Sequence, residues 1–299
     1  MTERPAGTVV VPSFQSGETI GACLRSLREQ DLGRPFDVVV VDSSTDATPQ
    51  LVARDFPEVR LVRRAERTSA PRARNLGAAQ AAGDRLAFLD SDCVAPPGWL
   101  RRLLLLLEAG YDGAGGAIAN ANGETLVSWA GYFCEFREFL PGGPARDAAN
   151  LTLGNAAYRR DRFEAVGGFP EDCFPQEDQL FHEELRRRGG RLRLDPGIVV
   201  AHHHRHEREA FLAHQRRIGR ANAAVLRRID RPGSFLVRRP LLARVAVPLL
   251  VPYRFARTAA ACRGVENGLL WRRPGLAALV AQGMVAWGRG FAEGAAGGS

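Results

Sequence analysis

From residue 8 onward, short runs of Val and Leu alternate with longer amphipathic stretches. TVVVPSF (8–14), DVVVVD (37–42), VRLVRR (59–64) and RLAFLD (85–90) read as buried strands. Between them lie three predicted helices: 18–30, with Ile20, Leu24 and Leu27 on one face; TPQLVARDF (48–56); and PRARNLGAAQAAG (71–83), which has proline near its start and glycine just past its end. This alternation predicts βαβ units around a mainly parallel sheet flanked by helices, an α/β fold. The last side chains of such strands project into the crevice where ligands bind in open α/β sheets.

The pattern is weaker further along. GYDGAGGAIANANGE is glycine-rich, 124–140 reads as an aromatic helix, and PGGP (141–144) breaks the chain. EDQLFHEELRRRGG (177–190) reads as a helix, and RLRLD and GIVVAHHH as a pair of strands. From about 206 the chain turns to arginine-rich helices, the first with Phe211, Ile218, Val225 and Ile229 on one face. Leu276, Leu279, Val280, Met284, Trp287 and Phe291 recur at threes and fours, which makes an amphipathic helix near the C-terminus. The expected division is a catalytic domain over 1–230 and a basic helical tail over 231–299.

Composition narrows the chemistry. All 41 basic residues are arginine, so a P-loop lysine and a pyridoxal Schiff base are both excluded. Charge is uneven: residues 201–299 hold 17 Arg against 5 acids, whereas residues 1–200 hold 24 Arg against 28 acids. The tail is therefore the part that would meet an anionic surface. The five cysteines have neither zinc-site nor disulfide spacing. The N-terminal stretch lacks the marks of a signal peptide, and no apolar run reaches the roughly 20 residues of a spanning helix, so a cytoplasmic protein is expected.

AFLDSDC (87–93) ends the fourth strand with two carboxylates, Asp90 and Asp92. If the backbone stays extended they share a face. Mutual repulsion then favours a cation between them, and Mg²⁺ or Mn²⁺ bound to substrate phosphates fits. Taken alone, Asp-Ser-Asp is also a common turn. Glu177 and Asp178 open a predicted helix, where acids also favour the helix dipole. The glycine-rich stretch does not fit the dinucleotide fingerprint, because the third glycine position holds Ile118.

VVVPSFQSGETIGACLRSL, VVVVDSSTDAT, APRARNLGAAQAAGDRLAFLDSDC, LGNAAYRRDRFEAVGGF and QEDQLFHEELRRRGG, in this order, resemble glycosyltransferase family 2 and its GT-A fold over about residues 8–230. The resemblance implies inverting transfer of a sugar from a nucleotide-sugar donor to a hydroxyl acceptor. It implies that Pro12, Ser13, Phe14 and Asp42 hold the nucleoside, with Asp42 on the base, that Arg74 lies beside the donor, and that Asp90 lies near the ribose. Asp92 would bind the metal, with Asp90 nearby and His202 reaching it after the strand GIVVA. Of the catalytic pair Glu177 and Asp178, Asp178 matches the family's general base.

Two departures stand out. The turn in VDSSTD is one residue shorter than is common in the family, and Leu180 and Glu184 replace an acid and an arginine that commonly follow the Glu-Asp pair. Acceptor details are therefore not carried over, and Asn155 is given no catalytic role.

The basic tail resembles those of members that build exopolysaccharide or glycolipid on lipid-linked acceptors. The 276–291 face is read as a membrane-interface helix at the inner face of the cell membrane, with packing as core the alternative. Two other functions compete. A sugar-phosphate nucleotidyltransferase would normally open with a Gly-rich loop bearing Arg or Lys, where this chain has PSFQSGET. A nucleic-acid binder would explain the tail but not four carboxylates that repel a polyanion, so no nucleic-acid partner is expected.

Overall fold

The computed structural model of the protein describes residues 4–297. Two compact units emerge, one of residues up to 119 with 141–202, the other of 120–140 with residues from 203 onward.

The first unit is built on a mixed sheet. β1 (Thr8–Ser13), β2 (Asp37–Asp42), β3 (Arg60–Arg63) and β4 (Arg85–Phe88) are joined by α1 (Ile20–Arg28), α2 (Thr48–Asp55) and α3 (Ala70–Ala79), close to the predicted segments. These four strands lie in the order β3-β2-β1-β4 and pair in parallel. β1 and β2 bury nearly every side chain, as expected of strands covered on both faces.

Beyond β4 come β5 (Cys93–Val94), α4 (Trp99–Glu108), β6 (Gly113–Asn120) and α5 (Leu126–Phe136). Next are β7 (Arg146–Asp147), β8 (Ala156–Arg159), α6 (Arg160–Val166), α7 (Glu177–Arg187) and β9 (Leu192–His202). The sheet continues β4-β8-β6-β9-β5, with β8 antiparallel to β4 and to β6, and β5 antiparallel to β9.

Two elements differ from the sequence reading. The glycine-rich stretch is strand β6, hidden from pattern analysis because its glycines admit neighbouring chain: a Cβ on Gly116 would collide with the Ile198 carbonyl oxygen. The expected strand pair at 191–204 is one strand, β9, running through Asp195-Pro196-Gly197. Arg102 holds this would-be break, donating to the Gly197 carbonyl at 2.6 Å and to Asp195 at 3.0 Å.

The second unit is helical: α5, α8 (Arg208–Arg228), α9 (Ser234–Val237), α10 (Pro240–Ala261), α11 (Leu269–Arg272) and α12 (Pro274–Ala296). α8, read from sequence with the catalytic segment, thus groups with the C-terminal helices. α12 packs on α8 and α10, and its Leu276, Val280, Met284, Trp287 and Phe291 are buried. Trp287 stacks on Phe291 and donates to Asn222 at 2.7 Å. The face expected to meet a membrane is therefore core, because the preceding helices cover it. No described helix is long and apolar enough to cross a membrane.

Candidate active site

Parallel pairing brings the C-terminal ends of β1, β2 and β4 to one edge. Ser13 ends β1 and donates to Asp42 Oδ1 at 2.8 Å; Ser44 donates to the same oxygen at 2.6 Å, and Arg63 from the end of β3 pairs with Oδ2. Asp42 is 0% exposed and its oxygens are engaged. It therefore orders this edge from within, and direct contact with a base would require these partners to move. Arg63, 44% exposed, is the charged group of this cluster that reaches the surface.

Pro12 and Ser13 are buried, while Phe14 is exposed with the Arg67 guanidinium 4.6 Å from its ring centre. Gln15, at φ 54°, turns the chain. Its side chain accepts from the Thr45 and Asp46 amides, clasping the β1–α1 loop to the β2–α2 loop.

β4 is followed by a turn in which the Cys93 amide donates to the Asp90 carbonyl at 3.0 Å. The backbone is thus not extended through Asp-Ser-Asp, and the two carboxylates find different partners. Asp90 receives the Arg74 guanidinium at 2.5 Å. Asp92, 41% exposed, has Oδ1 3.5 Å from His202 Nε2. β5 pairing with β9 sets Cys93 opposite His202, which explains that approach.

Donor atoms of Asp92, Cys93 and His202 lie within 4.8 Å of one another. A carboxylate and an imidazole suit Mn²⁺. Burial, then Asp92 and Asp90, push the pKa of the Cys93 thiol well up in the absence of an ion. Asp90 lies outside this cluster and is held by Arg74. The residues that fit a divalent ion are Asp92 and His202.

Arg74, on α3, is 4% exposed and spans two elements: Nη2 meets Asp90 and Nη1 donates to Glu177 Oε1 at 2.7 Å. Burial disfavours its charge, but the Asp90 and Glu177 carboxylates outweigh this and raise its pKa. Arg74 is thus an internal strut between the β4 end and the start of α7. A Cβ on Gly154 would stand 2.9 Å from Asp90 Oδ2, so the chain beside this strut has room only for glycine without displacement.

Glu177 is buried, and burial lifts its pKa against the pull of Arg74. Asp178 keeps part of its surface in solvent and accepts from Asn150 Nδ2 at 2.9 Å. Burial of its carboxyl raises its pKa, which Asn150 opposes. Behind it, the Asn150 amide oxygen meets His182 Nδ1, and His182 Nε2 lies 2.6 Å from the Tyr158 hydroxyl. Asn150 thus links Asp178 to a buried polar row of His182 and Tyr158, and the Leu151 amide also points at His182 Nδ1.

Residues 8–167 match the model of glycosyl transferase family 2. The chain belongs to this family. Glycosyltransferase AglE of Haloferax volcanii is 26% identical over 231 residues, 74% of each chain. Succinoglycan biosynthesis protein ExoO of Rhizobium meliloti is 40% identical over 120 residues, 40% of this chain and 33% of that one. The mannosyltransferase PcManGT of Pyrobaculum calidifontis, solved with GDP-Man and Mn²⁺, superposes with TM-score 0.61 at 23% identity over 96% of this chain and 86% of that one. S. aureus TarS 1–349 with UDP-GlcNAc gives TM-score 0.55 at 19% identity over 95% and 90%. At such identities the structural likeness establishes the fold, GT-A. The protein is a family 2 glycosyltransferase.

Sequence reading of this family 2 chain missed Arg63, Ser44, Asn150 and His182. Arg63 was legible in principle as the end of β3. His182 follows Asp178 by four residues on α7 and so shares its face. Asn150 carried no local signal. Asn155, left without a catalytic role, accepts from Trp99 at 2.8 Å and donates to the Ala117 and Ile198 carbonyls, a fully bonded structural amide.

Proposed function

We propose that the protein is an inverting, hexosyl-type glycosyltransferase that moves a sugar from a nucleotide-diphosphate sugar to an acceptor hydroxyl, with Asp178 as general base. The observation that carries this reading is Asp178 itself: a partly exposed carboxyl of raised pKa, held by Asn150 and joined through Glu177 and Arg74 to the β4 end. A hydroxyl becomes an adequate nucleophile as its proton is taken, and a carboxyl of raised basicity takes it better. Attack from the side opposite the leaving diphosphate inverts the anomeric carbon.

The nucleoside is assigned to the edge formed by Pro12, Ser13 and Phe14, with the exposed Phe14 ring as a face for the base and Arg63 as a reachable cation. Arg74 keeps Asp90 oriented toward the ribose. Asp92 and His202 would hold Mg²⁺ or Mn²⁺, which supplies charge neutralisation to the departing diphosphate. Donor use of this kind is supported by PcManGT and TarS, whose structures are complexes with GDP-Man and UDP-GlcNAc.

The acceptor is assigned to a lipid-linked glycan or growing polysaccharide, and the arginine-rich C-terminal helices to peripheral attachment at the inner face of the cell membrane. The name of ExoO and the basic tail support these assignments. In this reading residues 1–230 carry the catalytic function and 231–299 the attachment.

The test is thermal stabilisation by a panel of UDP-, GDP- and dTDP-sugars with and without Mn²⁺, repeated on Asp92→Ala. A ligand far above its Kd stabilises by a few kcal/mol, about 2.7 at a hundredfold excess. One nucleotide series should stabilise in a metal-dependent way that Asp92→Ala abolishes. If no nucleotide sugar stabilises the folded protein, the donor assignment fails.

A further inference from the structure

α10 is apolar on two faces, and only one of them is covered. Ala243 is buried, with Val247 and Leu250 packed on the same core. On the opposite side Leu241, Val245 and Leu249 are 76%, 72% and 76% exposed. Pro248, Pro252 and Tyr253 are also exposed and fall on the same side, three to four residues apart. A helix apolar all round is normally buried. Scattered exposed Leu residues are ordinary, but a continuous row rimmed by charge marks an interaction surface.

The rim is cationic. At 3.6 residues per turn, exposed Arg244 flanks one edge of the row and exposed Arg257, 3.6 Å from the exposed Glu138 carboxylate, the other. Exposed Arg238 and Arg239 immediately precede the helix. Residues 231–299 hold ten arginines against two glutamates, a balance that favours a partner that is anionic as well as apolar. A second copy of this chain would set the same arginines against one another across a two-fold interface, which disfavours self-pairing. α10 spans 22 residues and so about 33 Å, long enough to present this row in a plane.

We infer that the outer face of α10 is the surface that seats the protein on an anionic lipid bilayer. Leu241, Val245 and Leu249 enter the acyl boundary, and Arg244 and Arg257 lie at the phosphates. This rests on the membrane attachment proposed above and names its element: α10, with α12 serving as the core beneath.

The experiment is co-sedimentation of the full chain with vesicles of phosphatidylcholine alone and of phosphatidylcholine with phosphatidylglycerol, at low and high salt. It compares wild type, Leu241→Asp/Val245→Asp/Leu249→Asp, Arg244→Glu/Arg257→Glu, and Leu105→Asp, an exposed apolar control on α4. Wild type and control should bind the anionic vesicles in a salt-sensitive way, and both α10 variants should lose roughly tenfold or more in affinity while keeping the wild-type melting temperature. Failure of wild type to bind either vesicle overturns both this inference and the attachment reading. Wild-type binding that the α10 variants leave intact overturns this inference alone. A wild-type dimer that the triple Asp variant dissociates, without vesicle binding, assigns the face to a second copy and overturns it as well.

Discussion

The Arg74 guanidinium donates to Glu177 Oε1 at 2.7 Å across 103 residues of chain. Since its other nitrogen holds Asp90, one side chain ties the donor edge of the sheet to the helix that carries Asp178. Both Arg74 and Glu177 side chains are 5% exposed. Removing one member of such a pair leaves a buried charge and costs about 3–5 kcal/mol. Arg74→Met should lower stability by that order in urea denaturation. Arg74→Lys should recover little, because a single ammonium cannot span both carboxylates as the guanidinium fork does. A lysine variant of wild-type stability would show that the fork is dispensable.

Asp178→Asn should reduce sugar transfer about a hundredfold or more while leaving donor nucleotide binding intact. The raised pKa of Asp178 also has a stability consequence. The folded state holds the proton more tightly than the unfolded state, so stability is greatest below the unfolded value of about 3.9 and declines as pH rises through the folded one. Burial thus disfavours the ionised carboxylate in the folded state, and the asparagine variant should melt no lower than wild type. Calorimetry at pH 7 and a transfer assay on the same sample check both halves.

The bond from Asn150 favours the ionised form of Asp178. Asn150→Ala should therefore move the acid limb of the transfer rate to higher pH and lower kcat, with donor KM nearly unchanged. An unshifted pH profile would mean that Asn150 does no more than fill space.

His202→Ala should abolish the Mn²⁺-dependent part of donor binding while sparing what binding remains in EDTA, because His202 Nε2 lies 3.5 Å from Asp92 Oδ1 and no second imidazole joins that cluster among the described residues. Calorimetric titration of Mn²⁺ with the nucleotide present reads this directly. Equal Mn²⁺ affinity in the variant would remove His202 from the ligand set.

Gly154→Ala would place a Cβ 2.9 Å from Asp90 Oδ2 and displace that carboxylate from Arg74. Donor affinity should fall, with a stability loss of about 1–3 kcal/mol from overpacking. Wild-type donor affinity would show that Asp90 adapts without consequence.

Four strands and the helices between them were legible from residues 8–90, because a buried parallel strand is a short Val/Leu run and its crossover helix has its own period. The carboxylates at the end of β4 and the start of α7 were legible too, since element ends are marked locally. β6 was not, because its glycines hide the strand and the neighbouring chain that requires them lies some eighty residues away. Nor could local sequence reveal that Asp90 and Asp92 diverge, that Arg74 is a strut and Asp42 a buried organiser, or that Asn150 and His182 stand behind Asp178. These depend on partners far apart in the chain, in β1 and β3 for Asp42, α7 for Arg74 and Asn150, and β9 for Asp92, that no local period encodes. The same limit reversed the reading of the tail. Amphipathic spacing says that α12 has an apolar face, but only the packing of α8 and α10 decides that this face is covered while that of α10 stays in water.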